Sequence, residues 1–117
     1  MFEAGTLVLL PFPYSDATTS KRRPVLALTP PDEYGDFVGM AISSRPHHVN
    51  VVPLQSDSLL EGNLPKPSWI RVDRVVTLNA SLVVKVFAKT KVDIHRQAVS
   101  GLCEMLKKQI SHYDPQR

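Results

Sequence analysis

A single cysteine, Cys103, stands among 117 residues. That excludes an internal disulfide and any small scaffold held together by bridges. Cys103 falls at the margin of an apolar helical stripe, where a small packed residue is expected rather than a nucleophile. No stretch approaches the roughly 18 consecutive apolar residues of a membrane helix. Residues 1–5 show no basic region followed by an apolar run, the mark of a secretory signal. A cytoplasmic protein with no membrane partner is the expectation. Glycine-rich phosphate loops, dinucleotide fingerprints and Cys/His zinc spacings are all missing, so no cofactor and no metal are expected. His47 and His48 are neighbours on a predicted loop–strand junction. Adjacent strand residues face opposite ways and chelate one ion poorly, so both are read as solvated or phosphate-facing. His95 and His112 fall on a predicted helix and are read as surface residues.

What is present is the composition of one globular domain, residues 1–117, with 43% hydrophobic and 21% charged residues. The formal net charge is +3, too small to name a polyanionic partner by itself. Its distribution says more: Lys21, Arg22, Arg23, Arg45, Lys66, Arg71 and Arg74 lie in or beside predicted loops and strand ends. The acids Asp32, Glu33, Asp36, Asp57 and Glu61 occupy other loops, so folding can gather a basic face.

Prolines, 10 in all, crowd the first two-thirds and suit short strands joined by turns. Strands are predicted at about 5–12, 24–30, 36–43, 49–54, 68–72 and 82–88, each bounded by turn-forming residues. The run Leu7 to Leu10 is apolar without alternation, which predicts cover on both faces, one by the core and the other by a partner subunit. Near the C-terminus the period changes. Ala98, Leu102, Met105, Leu106 and Ile110 recur at spacings of three and four, predicting one amphipathic helix over 94–111 with Asp93 as its N-cap. Strands first and one long helix last predict a mainly β fold with α: a small, strongly bent antiparallel sheet or barrel closed by a C-terminal helix.

Two local arrangements bear on chemistry. In Ser20-Lys21-Arg22-Arg23-Pro24 the proline holds the Arg23 backbone extended, which suits aiming a guanidinium at a phosphate. A solvated basic turn fits the same residues. In Ser68-Trp69-Ile70-Arg71-Val72-Asp73, strand alternation sends Ile70 and Val72 to the core and leaves Arg71 and Asp73 together on the other face. Such a pair is either a surface ion pair or a phosphate-binding cation beside a proton acceptor.

These segments, taken in order, resemble one family. Pro11-Phe12-Pro13-Tyr14-Ser15-Asp16 leads to Lys21-Arg22-Arg23-Pro24-Val25-Leu26, then Ala41-Ile42-Ser43-Ser44-Arg45, Val52-Pro53-Leu54 and Ile70-Arg71-Val72-Asp73. Order and spacing from about residue 4 to residue 110 are similar to the PemK/MazF toxins of bacterial toxin–antitoxin pairs. The resemblance implies a Src-homology-3-like barrel of the CcdB/MazF type, a homodimer, and a cognate antitoxin protein as partner. It also implies metal-independent, sequence-selective cleavage of single-stranded RNA, leaving 2′,3′-cyclic phosphate and 5′-hydroxyl ends. Carried over residue by residue, the catalytic positions fall on Arg23, Ser43, Arg71 and Asp73, with Asp73 a candidate acceptor of the 2′-hydroxyl proton. Lys21, Arg22 and Arg45 are the expected RNA-contacting cations, and Tyr14 and Trp69 the expected base-stacking aromatics. Loops 13–22 and 55–67 are expected to shape the RNA groove. Threonine is usual in the family where this chain has Ser43, and residues 13–23 hold no counterpart to the loop histidine of another branch. Two other readings use a similar scaffold: a CcdB-like toxin that binds a topoisomerase without cutting RNA, and a catalytically silent RNA-binding barrel. The polar ending from Ser111 to Arg117 and the Arg23 and Arg71/Asp73 pattern favour the nuclease over the topoisomerase poison.

Overall fold

The structure is a computed structural model that describes residues 1–12 and 21–113. Its strands are β1 (Thr6–Pro11), β2 (Arg22–Ala27), β3 (Asp36–Ser43), β4 (Val51–Leu54), β5 (Leu59–Gly62), β6 (Ser68–Asn79) and β7 (Lys85–Thr90), followed by helix α1 (Val92–Tyr113). Short 3-10 turns occupy Ser56–Ser58 and Ala80–Leu82. The strands form one sheet in the order β4-β6-β3-β2-β1-β7-β5, and every pairing is antiparallel. The mainly β architecture with a terminal helix is the expected one.

The continuous apolar run of β1 is covered on both faces, as its pattern predicts. Leu7, Val8 and Leu10 are fully buried. Leu7 joins a cluster with Leu26, Met40, Ile42, Leu54 and Ile70 on the helix side. Val8 and Leu10 join Val25, Phe37 and Leu78 on the other, where the Phe2 ring packs edge-on against Phe37 with centroids 5.0 Å apart. The second cover therefore comes from this chain's own residues. Each such leucine stabilises the fold by about 1.5–3 kcal/mol.

Turn chemistry sets the β2–β3 register. Asp32 Oδ1 accepts hydrogen bonds from the Tyr34 and Asp36 amides, both at 2.9 Å. Gly35 supplies the left-handed backbone the tight turn requires, at φ +86°.

Three boundaries differ from the sequence expectation. Residues 59–62 form a strand inside the predicted loop 55–67, because pairing with β7 supplies hydrogen bonds that local composition does not advertise. β6 runs to Asn79 rather than ending near residue 72. Its polar positions, such as Thr77 and Asn79, are held by pairing with the N-terminal half of β3. α1 begins at Val92, which places Asp93 within the first turn rather than at the cap. There its charge still favours the helix N-terminus.

α1 lies on β4 and β6. Ala98 is fully buried, with Ile94 and Leu102 packed beside it. A methyl group on Gly101 would stand 3.3 Å from Val72 Cγ1, so the small residue lets the helix approach the sheet closely. Leu106 and Ile110, predicted to share the buried stripe, are 53% and 70% exposed. Every residue from 106 to 113 is exposed, so the apolar stripe is covered only over the first half of the helix. Cys103 is exposed rather than packed. His95 is half-buried, and its Nε2–H donates to the Leu28 carbonyl at 3.1 Å.

Candidate active site

Arg23, Ser43 and Arg71 converge because of strand register. Val25 of β2 lies opposite Ala41 of β3. Two residues further along each strand, on the same face, come Arg23 and Ser43. Across the next boundary Ser43 lies opposite Trp69 of β6, and Arg71 is two residues beyond it. A row of polar side chains thus crosses β2, β3 and β6 where the apolar cluster of that face ends. Arg23 and Arg71 sit two strands apart and are offset by two residues, a backbone separation of about 12 Å, within reach of one phosphate group for two long side chains.

The row opens into a cleft of about 1220 Å³. Arg23, Ser43, Arg45 and Arg71 line it, as do Lys66, Arg74 and Lys85. Among the described residues no carboxylate does, so every charged residue in the wall is a cation and the cleft attracts a polyanion. The edge of β5 closes one side through Gly62, which also stands at φ +89°. A Cβ there would lie 2.3 Å from the Phe87 carbonyl oxygen and 2.6 Å from Ala88 Cα, so only glycine lets β5 seat against β7.

β3 and β6 slip out of step between Met40 and Ile42, which pair with Val75 and Ile70. Residues 71–74 take up the slack. Arg71 and Arg74 consequently both line the cleft, although an odd separation on an unbroken strand would send them to opposite faces.

Arg71 and Asp73 share a face, as alternation predicts. Arg71 Nε donates to Asp73 Oδ1 at 3.1 Å and Nη2 donates to Oδ2 at 3.0 Å, a two-point fork that orients the guanidinium. Burial pushes the Asp73 carboxyl up, but the hydrogen bonds and charge of Arg71 outweigh it and hold the group below its ordinary range. Both carboxylate oxygens face Arg71, and Asp73 is not among the cleft-lining residues.

The β3–β4 loop folds His47 over the row. The Ser43 hydroxyl accepts from the Arg45 amide at 3.1 Å and donates to His47 Nε2 at 3.2 Å. Arg71 Nη1 approaches the same nitrogen at 3.4 Å. A guanidinium can only donate, so Nε2 is the acceptor in this contact.

Of the remaining expected residues, Lys21 and Arg22 are exposed and do not line the cleft. Trp69 is half-buried between the register partners Ser43 and Pro53 and does not line it either. Tyr14 lies outside the described residues. Sequence reasoning read His47 as solvated or phosphate-facing without giving it a place in the site, and passed over Lys85. Nothing local marks Lys85, which faces the cleft because β7 neighbours β1 and β5. For His47 the available signal was its position four residues after Ser43 across a short turn.

The sequence matches the family described as PemK-like, MazF-like toxin of type II toxin-antitoxin system over residues 3–108. Among curated proteins no relative matches. The fold is similar to that of a MazE-MazF structure from Deinococcus radiodurans, with a TM-score of 0.71 and 22% identity over 90% of this chain and 95% of that one. It is also similar to Mycobacterium tuberculosis toxin MazF-mt6, with a TM-score of 0.65 and 16% identity over 87% and 96% of the two chains. A mycobacterial endoribonuclease in complex with its cognate antitoxin superposes with a TM-score of 0.66 and 13% identity, covering 92% and 96%. With 3–108 of 117 residues matched, this chain belongs to the PemK-like, MazF-like toxin family of type II toxin–antitoxin systems.

Proposed function

We propose that this toxin is a metal-independent endoribonuclease that cuts single-stranded RNA selectively by transesterification. RNA carries its own nucleophile, the ribose 2′-hydroxyl, so the protein has to stabilise charge and manage protons rather than activate a water. The observation that carries the reading is the shared cationic cleft, into which Arg23 from β2 and Arg71 from β6 both project beside Ser43. As the 2′-oxygen attacks, negative charge grows on the non-bridging phosphate oxygens. Two preorganised guanidinium groups lower that barrier by several kcal/mol, about 2.7–4 for each well-aimed donor. Ser43 hydrogen-bonds the phosphate, and Asp73 keeps Arg71 in place. Products carry 2′,3′-cyclic phosphate and 5′-hydroxyl ends.

Family membership supports a homodimer and a cognate antitoxin for this chain. An acidic, partly disordered antitoxin segment that orders on binding is the chemistry that would occupy this cleft and exclude RNA. The test is incubation of the purified protein with a mixed single-stranded RNA pool in excess EDTA, followed by sequencing of the cut ends. Cleavage at a short motif with 5′-hydroxyl ends is expected. Intact RNA, or ends bearing 5′-phosphate, would rule the proposal out.

A further inference from the structure

Resting on the endoribonuclease reading, we propose that His47 is the general base that takes the 2′-hydroxyl proton. The argument begins with what surrounds its Nε2. That nitrogen lies 3.2 Å from Ser43 Oγ and 3.4 Å from Arg71 Nη1, between the two groups assigned to the phosphate. His47 lines the cleft, and its Nε2 lone pair is engaged by these two donors until a phosphate draws them away and leaves it to the 2′-hydroxyl. A phosphate held by Ser43 and Arg71 brings the neighbouring ribose to the same place. A proton acceptor within hydrogen-bond reach of that position is what the attack requires.

Asp73, the other proton acceptor nearby, is set for a different task. Both its oxygens receive hydrogen bonds from Arg71, and the same partner holds its carboxyl below the ordinary range against the opposing effect of burial. A carboxylate so stabilised is a poor base, and it lies outside the cleft wall. The charged groups that line the same cleft as His47 come from several elements. Arg71 and Arg74 come from β6, Arg23 from β2, Arg45 from its own loop, Lys66 from the segment before β6 and Lys85 from β7.

In the step itself the 2′-oxygen bonds to phosphorus as its proton passes to His47 Nε2. The bond from phosphorus to the 5′-oxygen breaks, and that oxygen leaves with the electron pair and is protonated by water. The imidazolium then returns its proton to water. No oxidant, reductant or metal enters the balance.

The experiment is single-turnover cleavage of a short single-stranded RNA by wild type, His47→Gln and His47→Ala between about pH 5 and pH 8, where imidazoles change charge. Wild type should lose rate as the pH is lowered, because protonated imidazole accepts no proton. His47→Gln should be about 10²- to 10⁴-fold slower and lack that limb. Added imidazole should restore part of the His47→Ala rate, a response that a purely structural role would not give. A substrate with sulfur at the 5′-bridging position, whose leaving group needs no proton, should show the same deficit in His47→Gln. A deficit that vanishes on that substrate would overturn the assignment by making His47 an acid. So would a His47→Gln rate within about threefold of wild type with an unchanged pH profile. Should the variants not fold, absence of an acid limb in wild type overturns it alone. RNA left intact by wild type would instead sink the nuclease reading and this inference together.

Discussion

Asp73→Asn separates two roles for a carboxylate that sits beside a cleft without lining it. In wild type the fork to Arg71 consists of two hydrogen bonds at 3.1 and 3.0 Å, between side chains 17% and 29% exposed. A partly exposed pair of this kind contributes about 0–1 kcal/mol to stability, so the variant should fold normally. Its stability deficit also has a definite pH dependence. The folded-state carboxyl titrates below its unfolded value. The contribution is therefore fully present above about pH 4 and disappears as the pH falls through the lowered folded value. Wild type and variant should converge in acid. For activity, losing the fork leaves the Arg71 guanidinium to be ordered by substrate, at about 0.5–1.5 kcal/mol for a rotamer-rich side chain. That corresponds to roughly a 2- to 13-fold slower single-turnover rate. Removing a residue that itself transfers the proton costs about 10²- to 10⁴-fold. Urea unfolding from about pH 3 to 7 and rapid-quench RNA cleavage measure both quantities. A folded Asp73→Asn protein slowed more than about 100-fold would refute the positioning role.

Arg23→Ala and Arg71→Ala should each abolish detectable cleavage while leaving the circular dichroism spectrum intact, because both side chains project from strands whose core positions are untouched. Full activity in both variants would remove them from the site. Ser43→Ala should cost less, about 1.5–3 kcal/mol for a hydrogen bond to a charged group, measurable as a lower rate constant at saturating enzyme. Gly62→Ala should destabilise the fold by about 1–3 kcal/mol from overpacking, and by more with the left-handed backbone included. A denaturation midpoint equal to that of wild type would contradict the close approach of β5 to β7.

Periodicity in the sequence was enough to read β1, β3, β4 and the body of α1, because buried strands and amphipathic helices leave local marks. The apolar run at Leu7–Leu10 announced a strand covered on both faces, and Ala98 with Leu102 announced the helix face against the sheet. Pairing across the sheet left no such mark. β5 exists because β7 offers it hydrogen bonds, and the second half of β6 exists because β3 does. Leu106 and Ile110 kept the helical period of the buried stripe yet lie beyond the edge of what α1 covers. A local repeat specifies which side of a helix is apolar, not how far its neighbour extends.

The site divides the same way. Alternation along one strand already put Arg71 and Asp73 on one face, but it was the resemblance carried by the order of motifs along the chain that singled out Arg23, Ser43 and that pair as the groups to watch. Only the tertiary structure decided that Arg23 and Arg71 open onto one cleft, that Asp73 turns to Arg71 rather than into that cleft, and that His47 closes over Ser43. Those facts depend on the register of three strands, the slip that re-aims residues 71–74, and the path of a loop. Each is set by contacts between segments distant in sequence, and no stretch of the chain encodes such contacts alone.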